Sequence, residues 1–216
     1  AGRWSRCKAP CSLCWGYAAA ALAGLAIATK TAALLFVGPV AAAWVIVILR
    51  QQKNESGWPT NLLLGGVAAA SLSLVAFAMG QPYALLDWDA FSDDVLFQAR
   101  MARGDVELPY TIQYLQTSPF VYHLRNLIVW GLGLPLGVTA LVGVAWISVK
   151  GFKERNPGIL LLAAAVLVPL LILGGQQVKF MRYLLPIYPL LIIAGSGLLV
   201  TIGRSLWSRH GRTRWL

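Results

Sequence analysis

Residues 157–203 read PGILLLAAAVLVPLLILGG (157–175), QQVKFMRY (176–183) and LLPIYPLLIIAGSGLLVTIG (184–203), two apolar runs either side of a short segment that holds Lys179 and Arg182. Apart from Tyr188, neither run contains an ionisable side chain. Each matches the roughly 20 apolar residues that a helix needs to cross about 30 Å of hydrocarbon. Working outward, four more apolar segments follow the same pattern, at about 14–29, 31–49, 62–80 and 127–149. The expected fold is all-α: a polytopic transmembrane helical bundle of about six spans, with residues 1–216 forming a single transmembrane domain. With 58% hydrophobic and only 12% charged residues, the composition excludes an ordinary soluble domain.

Charge placement predicts the orientation, because Lys and Arg collect on cytoplasmic loops close to helix ends. One set of helix ends carries Arg3, Arg6, Lys8, Arg50, Lys53, Lys150, Lys153, Arg155, Arg204, Arg209, Arg212 and Arg214 against only Glu55 and Glu154. The other set carries Lys30, Arg100, Arg103, Arg125, Lys179 and Arg182 against an equal number of acids, Asp87, Asp89, Asp93, Asp94, Asp105 and Glu107. The whole net charge of +10 therefore falls on one face. That face is expected in the cytoplasm of a cell (inner) membrane, with both termini inside and a loop over about 81–126 outside. A nucleic-acid binder would gather its cations in a stripe on a soluble fold. Here they punctuate helix ends and suit anionic membrane lipids, so no nucleic-acid partner is expected.

Thr29-Lys30-Thr31 reads as the outer tip of a helical hairpin, and Pro39 is expected to kink its second arm by removing a backbone donor. The third segment is rich in small residues, from Gly65 and Gly66 to Ser71 and Ser73, which predicts close helix packing. Thr60 or Asn61 is the expected cap of that helix. In the outer loop, Phe91, Val95, Leu96 and Met101 recur at helical spacing, with acids first and arginines last, the polarity that a helix dipole favours. An amphipathic surface helix is expected there, capped by Asp89 or Ser92 and ended by Gly104. The stretch from Leu108 to Asn126 is dense in Tyr, Pro and Gln, residues suited to a platform at head-group level.

Four constellations bear on chemistry. Cys7, Cys11 and Cys14 have a spacing that can hold an iron–sulfur cluster or zinc, but they abut an alanine-rich helix and read as reduced thiols at a helix entrance. Asp87, Asp89, Asp93 and Asp94 can ligate a divalent cation or serve as acid and base; the spacing is not a calcium-loop pattern, and helix capping explains it as well. No metal or other cofactor is therefore assigned, and Asp87 and Asp89 stand as the candidate catalytic carboxylates. His123 and Arg125 lie just before an apolar segment, as an interfacial pair or part of a site. Lys179 and Arg182, at i and i+3, are expected to face one spot and to suit phosphate oxygens, with Gln176, Gln177 and Tyr183 adding neutral donors.

Gly24-Leu-Ala-Ile-Ala-Thr29-Lys30, Gln81-Pro82-Tyr83, Trp130-Gly-Leu-Gly-Leu-Pro135-Leu-Gly137 and Lys179-x-x-Arg182-Tyr183-Leu-Leu-Pro186-x-x-Pro189 occur in this order. The ordered set resembles the membrane glycosyltransferases of the GT-C type, nearest the family-39 protein mannosyltransferase and aminoarabinose transferase group. The resemblance implies an inverting enzyme that takes a sugar from a polyprenyl-phosphate donor and transfers it, on the extracytoplasmic face, to a protein or lipid acceptor. It implies donor-phosphate contacts from Lys179 and Arg182, with Lys30 as a further candidate, and a pocket that Tyr83 and Tyr183 help to shape; from their own chemistry Tyr183 is also a phosphate-side donor, and Gln177, His123 and Arg125 are further pocket candidates. The family places its acidic base in a first outer loop that nothing upstream of residue 14 supplies. This chain is therefore expected to be the C-terminal membrane portion, binding the donor phosphate without catalysing alone. A transporter or permease, or a non-enzymatic membrane subunit, are the rival readings.

Overall fold

The computed structural model describes residues 10–52 and 58–213. Its elements are all helical among the described residues, and they fall into two compact units, residues 1–98 and 99–216. Among the described residues four helices are long and apolar enough to cross a membrane: Leu62–Gly80, Leu134–Lys153, Pro157–Gly174 and Leu185–Ser208. This is the make-up of a multi-pass membrane protein. The first two of the six expected spans are shorter as apolar helices, Cys14–Thr29 and Thr31–Val47.

The first unit holds α1 (Pro10–Thr29), α2 (Leu34–Gln52), α3 (Trp58–Gly80) and α4 (Tyr83–Leu86), and α5 (Trp88–Arg103) begins in it. The chain turns between α1 and α2 at Lys30, whose backbone is extended (φ −160°, ψ 121°), and a short 3₁₀ turn leads into α2 with Pro39 inside it. α1 packs along α3. A methyl group added at Gly24 would run into the Ser73 carbonyl, and one at Gly80 would stand 2.8 Å from the Ala28 methyl. The small residues of α3 thus do what their composition predicts, letting two backbones approach. α3 starts at Trp58, ahead of the Thr60 and Asn61 expected to cap it, so both lie inside its first turn. At α5 the cap is Asp87, whose Oδ1 accepts from the Ala90 amide at 3.1 Å. Asp89 and Ser92, the expected caps, lie within the helix, and the Ser92 hydroxyl donates to the Asp89 carbonyl. Gly104 (φ 91°) ends α5 as expected, in the left-handed region that a glycine adopts without strain.

The second unit runs from the end of α5 through α6 (Val121–Asn126), α7 (Leu134–Lys153), α8 (Pro157–Gly174) and α9 (Tyr188–Thr213). α7 starts later than the 127 expected from hydropathy. Residues Leu127–Gly131 are wound as a π-helix continuing α6, and Gly133 (φ 79°) breaks the chain before Pro135 opens α7. At the other end of α7, Asn156 caps α8 by accepting from the Gly158 and Ile159 amides, with Pro157 in the first position, where a missing N–H costs nothing. α7 and α9 cross at small residues. An added methyl at Gly143 would sit 2.6 Å from the Ala194 carbonyl carbon, and one at Gly195 would sit 3.2 Å from Ala140 Cα. Leu127, Val166, Leu184, Ile187 and Leu191 are buried in the interior of this unit.

The α6 and π-helical stretch lies across the ends of the three long helices. At its start the Phe120 amide donates to the Gly174 carbonyl at the end of α8 (3.0 Å). Further along, Ile128 backs onto Gly137 in the first turns of α7, and Gly131 leaves room for the Tyr188 hydroxyl at the start of α9. One short helical piece therefore touches α8, α7 and α9 at the same end of the bundle.

Candidate functional site

The loop between α8 and α9 is pinned from two sides. The Val178 amide donates to the Ala102 carbonyl at 3.2 Å. Beside it, Gly104 admits the Gln177 side chain, whose Cγ would stand 2.8 Å from a methyl added there. These contacts turn Lys179 inward. It is 1% exposed, and its ammonium donates to the Gln177 carbonyl (3.0 Å) and the Thr117 carbonyl (3.4 Å). A buried cation needs such acceptors, because the interior replaces none of its hydration otherwise. Burial lowers the Lys179 pKa from its ordinary value.

His123, on α6, is buried with it at 1% exposure. Its Nδ1 has no hydrogen-bond partner among the described residues. Burial, and then the positive charge of Lys179, push its pKa down, against a smaller opposing effect from a hydrogen bond to the Leu173 carbonyl. The imidazole is thereby held neutral beside the ammonium.

Arg182 points the other way. The segment is not helical at Phe180 (φ −72°, ψ 119°), and the 3₁₀ turn starts only at Met181, so positions i and i+3 do not share a face here. The Arg182 guanidinium is exposed, 4.6 Å from the Phe180 ring centroid and 5.7 Å from that of Tyr183. Phe180 in turn meets Tyr183 edge-on (5.5 Å) and Tyr114 edge-on (5.6 Å), and Tyr114 meets Tyr122 edge-on (5.7 Å). Such edge-to-face pairs fix ring positions. Burial raises the Tyr114 pKa, with Tyr122 adding to the shift and Arg182 opposing it.

Tyr114, Tyr110 and Thr117 are held by short-range bonds: the Tyr110 hydroxyl donates to Met101 Sδ (3.3 Å) and the Thr117 hydroxyl to the Tyr114 carbonyl (2.7 Å). Thr117 is also the edge of a groove of about 430 Å³, which continues along Ser118, Val121, Tyr122, Arg125, Asn126 and Trp130. The Lys179 ammonium thus supports the wall of this groove from behind, through the Thr117 carbonyl.

Of the residues singled out from sequence, Lys179, His123 and Gln177 come together in the interior of the second unit, Arg182 and Tyr183 pair at its surface, and Arg125 lines the groove. Lys30, Tyr83, Asp87 and Asp89 belong to the first unit. There Tyr83 is exposed at the start of α4, Asp87 is engaged as a cap, and Asp89 is exposed. Of the cysteines, Cys7 lies outside the described residues, and Cys11 and Cys14 lie in α1, with Cys14 exposed. Among the described residues no three His, Cys, Asp or Glu side chains converge on a point that could hold a metal. Sequence reasoning passed over Thr117, Ser118, Tyr122, Asn126, Trp130 and Phe180 as individual site residues, although the density of aromatic and polar residues over 108–126 marked the region. Comparison with family models, curated proteins and solved structures finds no match to this chain.

Proposed function

We propose that this chain is the membrane portion of a glycosyltransferase that uses a lipid-linked sugar, and that it supplies the donor-phosphate side of the site on the extracytoplasmic face. The observation that carries this reading is the exposed Arg182 guanidinium, braced by Phe180 and Tyr183 on the loop between two apolar spans. A planar, always-charged fork is suited to phosphate oxygens. When the sugar leaves its carrier, negative charge grows on the phosphate, and a fixed cation at that place lowers the barrier. Lys179 serves from inside, holding the loop and Thr117 in register and adding positive potential. The other requirement is a base to take the acceptor's proton, and in this reading it lies outside the donor-phosphate side that this chain supplies. The acceptor is a protein or lipid hydroxyl.

The test is turnover of a polyprenyl-phosphate sugar by the full-length protein carrying Arg182→Gln. Loss of one preorganised charge predicts a fall of about 10²–10³ in kcat. Unchanged turnover would remove Arg182 from the site and the reading with it.

A further inference from the structure

The groove beside α6 holds the Arg125 guanidinium among polar and aromatic side chains and contains no carboxylate. Arg125 has no hydrogen bond, ion pair or ring contact among the described residues. Asn126 spends one amide N–H on the Tyr122 carbonyl (2.8 Å) and keeps the second. Ser118, Tyr122 and Trp130, each with a donor group, are also among the lining residues. An unpaired guanidinium with neutral donors beside it and no carboxylate to neutralise it suits an anion.

The surroundings agree. The stretches 99–133 and 175–187 of this unit carry Arg100, Arg103, Arg125, Lys179 and Arg182 against Asp105 and Glu107. Asp105 is already paired with Arg103 at 3.1 Å. The groove sits on the helical piece that crosses the ends of α7, α8 and α9, the level at which apolar spans give way to head groups. Trp130, 79% exposed, has the amphipathic ring that favours that level. The volume, about 430 Å³, lies in the range of small-molecule sites and exceeds a bare phosphate, leaving room for what is esterified to it.

We propose that this groove binds the phosphate of a lipid head group, gripped by the Arg125 fork and the Ser118 hydroxyl with Trp130 at the bilayer boundary. The inference does not rest on sugar transfer or on Arg182. A polyprenyl phosphate monoester and a phosphodiester of the bulk bilayer offer the same chemistry, and the experiment separates them.

Val121 lines the groove and is exposed, so Val121→Cys reports on occupancy. The full chain, with Cys7, Cys11 and Cys14 changed to Ser, is placed in phosphatidylcholine nanodiscs and the new thiol is titrated with a methanethiosulfonate reagent. Dodecyl phosphate is expected to slow the labelling at least fivefold, and neutral dodecyl maltoside to leave it unchanged. Adding Arg125→Gln is expected to shift the protecting concentration of dodecyl phosphate at least tenfold, Arg125→Lys by less, and Arg182→Gln not at all. Protection by phosphatidylglycerol would assign the site to bulk phospholipid, and protection by dodecyl phosphate alone to a monoester carrier. Equal protection by inorganic phosphate, or protection that survives Arg125→Gln, overturns the proposal.

Discussion

The Lys179 ammonium lies 3.4 Å from the carbonyl of Thr117, 62 residues earlier in the chain. That contact ties the α8–α9 loop to the aromatic platform, and the Gln177 carbonyl at 3.0 Å holds the ammonium from within the loop. Lys179→Met keeps the stem's volume and leaves those carbonyls without their donor, a loss of about 1–3 kcal/mol. Thermal unfolding in detergent should register a lower Tm; a Tm equal to or above that of the parent would show that the tie does not stabilise the loop.

His123 supplies a pH dependence of known sign. Its pKa is lowered in the folded protein, by burial first and by Lys179 second. The unfolded chain therefore binds the proton more readily, and the stability that neutral His123 contributes is complete above its unfolded pKa of about 6.5. That contribution is lost as the pH falls towards the folded value. Denaturant unfolding between pH 7 and pH 5 should show declining stability, and His123→Gln should flatten the decline. A slope unaltered by His123→Gln would assign the acid sensitivity to other groups.

Gly104 combines a left-handed backbone with a close neighbour. Gly104→Ala sets a methyl 2.8 Å from Gln177 Cγ at φ 91°, and about 1–3 kcal/mol of destabilisation is expected. In a Gln177→Ala background the clash with Cγ is removed, while the 3.0 Å approach to Cβ and the backbone part remain. Additive effects in this double-mutant cycle would contradict the contact.

The α7–α9 crossing should tolerate no side chain at Gly143. Gly143→Val, with the Ala194 carbonyl carbon 2.6 Å from its first carbon, should abolish the folded protein, read as loss of monodisperse yield. Gly203→Ala meets nothing within 4 Å and should stabilise α9 by up to about 1 kcal/mol. Similar behaviour of the two variants would disprove the close crossing.

How much of this was legible in the sequence follows from what hydropathy and local spacing encode. α8 and α9 were readable because uncharged runs of membrane length have few other uses, and the close packing of α3, though not its partner α1, because small residues mark it. The start of α7 was not readable, since Leu127–Gly131 is as apolar as a span and the break depends on the positive φ of Gly133. Asp87 was missed as the α5 cap because three neighbouring aspartates offer the same chemistry. Lys179 and Arg182 were expected on one face because their spacing presupposes a helix, and Phe180 is extended. The groove was invisible as a unit, since bringing Ser118 and Arg125 into line with Trp130 requires knowing that α6 runs on into the π-helical turn.

The central claim places the Arg182 loop outside the cytoplasm beside a lipid phosphate. Leu185, exposed and close to Arg182 in sequence, carries the reporter, as Leu185→Cys in a chain whose native cysteines are Ser. Intact cells are treated with a membrane-impermeant maleimide before and after polyprenyl phosphate is supplied. The account predicts labelling from outside that the lipid phosphate slows; labelling only after the membrane is opened from the cytoplasmic side would contradict it.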